Sequence, residues 1–182
     1  MSDLALGYIQ VLNFFEKAEQ NITMLLCQNK DLFKLLRFTD NNPLSHDISD
    51  EEIEDTITEF DSKRQNNPNC KLFFEPFNDK VLMSEIAMLR IFPIQITPKD
   101  KYEADLYIQT DIIVHQGISK IKGGRRRNRI LSEVVDALNG KEINLLQTLA
   151  LAEDYPVKLV QFKDEFWGYI IWFHSNIAGV EW

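Results

Sequence analysis

The run Arg125-Arg126-Arg127-Asn128-Arg129 is the densest group of side chains in this sequence that could do chemistry. Lys120 and Lys122 precede it, and no acid occurs between Ile112 and Ser132. A cationic segment of this kind suits a phosphate, a nucleic-acid backbone or an acidic protein surface. Periodicity places it at the start of a helix. The positive end of a helix dipole disfavours each exposed cation there by roughly 0.3–1 kcal/mol. Helix stability alone therefore does not account for the arginines, and a counter-charged partner is expected. The chain also holds an opposite segment. From Asp40 to Asp61 it carries Asp40, Asp47, Asp50, Glu51, Glu52, Glu54, Asp55, Glu59 and Asp61, with no Lys or Arg. Such asymmetry points to a partner or to a self-complementary surface. The candidate contact residues are Lys122, Arg125, Arg126, Arg127 and Arg129 on one side, and Asp50, Glu51 and Glu52 on the other. Trp182 joins them, because a terminal aromatic that cannot be core suits docking on a neighbouring subunit.

Other chemistry has less support. Gly117, Gly123 and Gly124 do not make a phosphate loop: Lys122 precedes the glycine pair, and neither GxxxxGK[ST] nor GxGxxG occurs. His46, His115 and His174 are isolated, with no HxxxH or HExxH. His46, Asp47, Asp50 and Glu51 offer oxygens and a nitrogen to a metal, but their spacing fits no EF-hand loop. Glu85, Asp105, Asp111 and Lys120 could be assembled into a metal-dependent nuclease, yet such residues occur by chance in almost any acidic chain. There is no GxSxG, and neither cysteine has a histidine near it in sequence. The expectation is a protein with no catalytic residue, no cofactor and no metal site.

The chain of 182 residues is long enough to bury a sizeable core, and its 45% hydrophobic and 26% charged content is ordinary for a globular protein. The net charge of −8 argues against a general polyanion binder. No apolar run approaches the roughly 20 residues that span a bilayer, so no membrane role is expected. Met1-Ser2-Asp3 lacks the basic start of a signal peptide. Cys27 and Cys70 have no CxxC partner, which suits a reducing compartment, and Cys27, in the apolar run Met24-Leu25-Leu26-Cys27, reads as a buried, inert thiol.

Periodicity sets out the elements that must position the charges. Leu4, Tyr8, Val11, Leu12, Phe15, Ala18, Ile22 and Leu25 make one helical stripe. Asn29 caps a helix over Lys30–Arg37 with Leu32, Leu35 and Leu36 inward, and Pro43 stops it. Ser49 and Glu52 have capping-box spacing. Asp61–Asn69 reads as an exposed loop. Leu72–Pro76, Met88–Thr97, Leu106–His115, Val157–Phe162 and Phe166–His174 read as strands. In Met88–Thr97 the faces are Met88, Arg90, Phe92, Ile94 and Ile96 against Leu89, Ile91, Pro93, Gln95 and Thr97, with Pro93 marking an edge or a bulge. The Leu106–His115 strand alternates as if half-buried, whereas Phe166–His174 is apolar on both faces and therefore central. A helix over Arg125–Leu138 turns Ile130, Leu131, Val134 and Leu138 inward and ends at Asn139-Gly140. Ile143–Leu151 fits strand or helix. The class is α+β: N-terminal helices with an acidic segment over residues 1–62, then a mixed, mostly antiparallel sheet with one long helix over residues 70–182, forming one compact domain together.

The order of these features carries a resemblance. The strand ending in Ile113-Val114-His115, the basic turn Gly123–Arg129, the helix Asn128–Leu138 with Asn139-Gly140, and the strands that close the chain fall between Arg90 and Phe173. This stretch resembles neck proteins of tailed bacteriophages, most closely tail terminator (tail completion) proteins. Leu32–Phe38 with Asn42-Pro43-Leu44 also looks like phage structural proteins. The resemblance implies a ring, commonly of six subunits, that caps the tail tube and joins it to the sheath, connector or head-completion proteins. It implies a virion protein of the neck, assembled in the host cytoplasm, with DNA passing through the lumen without specific recognition. The alternative reading is a nucleic-acid-binding accessory protein that uses Arg125–Arg129 on phosphates.

Overall fold

Asn29 and Ser49 start helices for reasons that are local and visible. In the computed structural model, which describes residues 16–59, 67–74, 85–100, 102–143, 146–155 and 157–178, the Asn29 side chain accepts from the Leu32 amide. The helix it starts is α2 (Lys30–Arg37), and Leu32, Phe33, Leu35 and Leu36 are its buried face. It follows α1, the described part of the first helix (residues 16–27), which buries Ala18, Ile22 and Leu26 and leaves Leu25 partly covered. The expected residues Leu4 to Phe15 of that stripe lie outside the described residues. A 3-10 turn at Pro43–Ser45 leads to α3 (Asp50–Ile57). Both halves of its capping box form: the Ser49 hydroxyl accepts from the Glu52 amide at 3.2 Å, and the Ser49 amide donates to the Glu52 carboxylate at 3.0 Å. Ser49→Ala is expected to lower stability by about 1 kcal/mol, read as a shift of the urea midpoint. An unchanged midpoint would mean that the box adds nothing beyond α3's packing.

The strands are β1 (Leu72–Phe73), β2 (Ala87–Pro98), β3 (Glu103–His115), β4 (Lys120–Ile121), β5 (Gly124–Arg125), β6 (Lys141–Ile143), β7 (Leu146–Leu151), β8 (Lys158–Lys163) and β9 (Phe166–Ala178), with α4 (Arg126–Leu138) between β5 and β6. The main sheet runs β1-β2-β3-β9-β7-β6, and β8 also pairs with β9. Among the described strands only β1 is parallel to its neighbour; β4 and β5 form a separate hairpin. The class is α+β, as the sequence indicated. Ile143–Leu151, open between helix and strand, ends β6 and forms β7, which pair antiparallel. The strand expected over Leu72–Pro76 is limited to Leu72–Phe73 among the described residues.

Two expectations change because the sheet is not regular. The register between β2 and β3 shifts between Pro93 and Gln95, so Ile94 is the bulged residue and is exposed. Beyond it Ile96 pairs with Leu106 and packs on the core, the opposite face from the one its spacing to Arg90 suggested. One extra residue reverses every following side chain. Strand β3 is also more deeply buried than simple alternation implies: Thr110 to His115 are buried on both faces. The cause is position. β3 lies between β2 and β9, with helices over one face and a second cluster of Ile86, Met88, Ile113 and Phe166 on the other. The first face carries Leu106, Ile108, Ile112 and Val114 and shares one hydrophobic core with Ala18 and Ile22 of α1, Leu36 of α2, Ile53 of α3 and Val134 of α4. That shared core fixes where the start of α4 stands relative to α2.

Candidate basic groove at the start of α4

The arginine run is divided by the fold into residues with different surroundings. Arg126 is completely buried. Its Nε donates to the Ile118 carbonyl at 2.9 Å, one Nη donates to the carbonyls of Leu35 (2.7 Å) and Phe38, and the other donates to the Asp40 carbonyl at 2.6 Å. The Arg126 amide donates to the Ser119 carbonyl at 2.8 Å. Burial pushes its pKa down to about 10, against the pull of Asp40, so it remains charged at neutral pH. This corrects the expectation that Arg126 meets a partner, since its donors are already engaged inside the molecule. The dipole conflict also disappears. Arg126 belongs to the first turn of α4, but its guanidinium lies on carbonyls at the C-terminal end of α2, where a cation is favoured.

Arg127 is half-buried, and its Nε is buried without a hydrogen-bond partner. Arg129 pairs with Glu133 at 2.8 Å, and the other oxygen of Glu133 accepts from the Asn29 side chain at 2.8 Å. The Asn29–Glu133 bond ties the cap of α2 to the middle of α4, which sequence spacing does not reveal. Lys122 and Arg125 are exposed, and neither has an acidic partner among the described residues.

Lys122, Arg125 and Arg129 come together around an open groove of about 490 Å³. Leu44 and Ile121 supply its apolar lining, and Asn128 and Ser132 its neutral polar groups. The loop is shaped by glycine. Gly123 has φ +90° and Gly124 φ +152°, so the β4–β5 turn needs a left-handed residue at Gly123. The Lys122 amide holds the hairpin to the Asn41 carbonyl at 2.7 Å. α4 opens without a side-chain cap and without an acid in its first turn. The arrangement presents two unpaired cations and one shared cation to anything that enters the groove.

The acidic candidates separate in the same way. Glu52 is used by the capping box and by Arg37, whose Nε lies 3.3 Å from it. Together with the capping amide of Ser49, that contact holds its carboxyl below the usual range. Arg37 also binds Asp55 at 2.9 Å. Asp50 pairs with Lys30 at 3.1 Å in the open. Glu51 is exposed, as are Asp47 and Glu54, and none has a cationic partner among the described residues. Trp182 lies outside the described residues.

The other groupings are held by ordinary pairs. His46 bonds Asp40 at 2.7 Å rather than Asp47. Asp105 bonds His174 at 2.6 Å and Lys99 at 2.8 Å. Asp111 is buried and pairs with Arg90, with Gln109 donating at 2.6 Å. Burial pushes the Asp111 carboxyl up, against the pull of Arg90. Asp105 and Asp111 are six residues apart on one extended strand, about 20 Å, too far to share a metal. No group of three metal-ligating residues occurs among the described residues. Burial raises the pKa of both thiols, Cys70 to about 11. No described helix is long and apolar enough to cross a membrane.

No curated protein matches the chain. A family profile, YomW, matches residues 29–174, from the cap of α2 through most of β9, and points to a phage-associated protein. That span includes the groove, the clamp on α2 and the acidic helix, and it covers far more than half of the sequence. The chain therefore belongs to the YomW family.

Proposed function

We propose that this chain is a structural virion protein of a tailed-phage neck, a ring-forming tail terminator that joins the tail tube to the head connector. The reading includes no catalytic activity. One observation carries it. Among the described residues, the cations Lys122 and Arg125 at the groove and the acids Asp47, Glu51 and Glu54 around α3 are unpaired, with no ion pair between the two sets. Opposite charges left apart on one chain suit a contact in which one surface meets a different surface of the next copy. Such heterologous contacts make a ring when the rotation between copies closes. Family membership supports a phage setting, and the net charge of −8 suits a channel that must let DNA pass without gripping it.

The expected result is a closed ring of identical subunits, with a discrete mass in sedimentation and a central hole in negative-stain images. A monomer at every concentration would remove this reading. The groove itself favours one alternative. Three cations around an uncapped helix start also suit phosphates, as in a nucleic-acid-binding accessory protein. That reading predicts DNA retention whose log affinity falls against log salt with a slope of about −3. The ring reading predicts no retention at moderate salt.

A further inference from the structure

We propose that helix α3 of one copy docks in the basic groove of the next, with Glu51 and Glu54 facing Lys122 and Arg125. The proposal rests on the ring reading above. Glu51 and Glu54 lie three residues apart in α3 and so share one helix stripe, while Asp47 lies in the extended chain just before the Ser49 cap. All three are exposed. The opposite side of α3 is already committed: Ile53 and Thr56 are buried, and Glu52 and Asp55 hold Arg37. The exposed stripe is thus the only acidic face α3 has left to offer.

The groove is complementary in size and in sign. α3 has eight residues and is about 12 Å long. A groove of about 490 Å³ accepts the side chains of one such turn. Leu44 and Ile121 give an apolar floor for the methylenes of the glutamates, and Asn128 and Ser132 offer further hydrogen bonds. Within one chain these groups do not meet, because α3 packs on α2 and β1 while the groove lies at the start of α4. Two grooves facing each other would repel, and so would two α3 stripes. The charges therefore disfavour a two-fold axis through either patch, and an α3-to-groove contact repeated from copy to copy gives head-to-tail order; a reciprocal dimer as the sole assembly in sedimentation would overturn that order. Exposed pairs of this kind set orientation and partner choice, while apolar contact supplies the affinity.

The test uses the full chain and sedimentation velocity at low and high salt. Lys122→Glu with Arg125→Glu is expected to weaken assembly at least tenfold, as is Glu51→Lys with Glu54→Lys. The four changes together are expected to restore assembly to near the wild-type level, because the pairs are reversed but kept. All four side chains are exposed, so each variant should melt within a few degrees of the wild type, and a melt checks this directly. If the wild type assembles and neither double variant weakens it, the docking proposal fails and the ring reading stands. Loss in the basic variant without rescue by the fourfold variant also overturns it, and assigns the groove to a different acidic surface. A wild type that never assembles removes both.

Discussion

Replacing Arg126 by leucine is expected to lower the free energy of unfolding by about 3–5 kcal/mol, the largest single effect in the cationic segment. The side chain is completely buried and donates to the carbonyls of Leu35, Phe38, Asp40 and Ile118. Leucine would leave these acceptors without the donor they were desolvated for, at about 1–3 kcal/mol for each that water cannot reach. Three of the four acceptors belong to the end of α2 and the residues just after it. The loss is therefore not confined to α4: the junction between the N-terminal helices and the sheet loosens as well. Arg126→Lys should recover only part of the stability, since an ammonium cannot reproduce the planar fork that reaches carbonyls on two sides. Arg125→Ala, on an exposed neighbour, should stay within about 0.5 kcal/mol of the wild type. Guanidinium unfolding of the three variants measures the series. Equal midpoints for Arg126→Leu and Arg125→Ala would show that Arg126 is dispensable.

A second large effect is expected at Gly168, in the middle of β9. A Cβ there would lie 1.6 Å from the Ile112 carbonyl oxygen and 2.7 Å from its carbon, both backbone atoms of β3. Gly168 pairs with Ile113 on β3 and Val160 on β8, so neither neighbour can retreat without breaking its own ladder. Gly168→Ala should cost about 3 kcal/mol or more, at the upper end for overpacking, and should lower the melting temperature accordingly. Its φ lies outside the left-handed region, so the effect is one of space and not of backbone strain. A melting temperature within a degree or two of the wild type would show that the strands adjust freely, contrary to the close approach of their backbones.

These two residues also separate what was readable in the chain from what was not. The caps at Asn29 and Ser49 and the inward stripe Ile130, Val134 and Leu138 follow from residue type and short spacing, and all appear in the fold, whereas α2 already ends at Arg37 and Pro43 opens the 3-10 turn instead of stopping the helix. The α+β class follows from the change of period along the chain. The bulge at Ile94 was signalled by Pro93, but its consequence for Ile96 was not, since a bulge is located by the partner strand.

The candidate site divides in the same way. The sequence by itself determined that a cationic segment opens a helix and that an acidic one lies elsewhere, because charge type and order are properties of the chain. It also showed that the dipole of α4 gives no reason for the arginines. Only the tertiary structure decided that Arg126 is an internal clamp, that Arg129 is shared with Glu133, and that Lys122 and Arg125 are left unpaired around a groove. The physical reason is distance along the chain. The acceptors that bury Arg126 come largely from residues 35 to 40, nearly ninety positions away, and no local pattern brings them to α4. Packing of α2 against α4 over the shared core does so, and in doing so it selects which charges remain available to a partner.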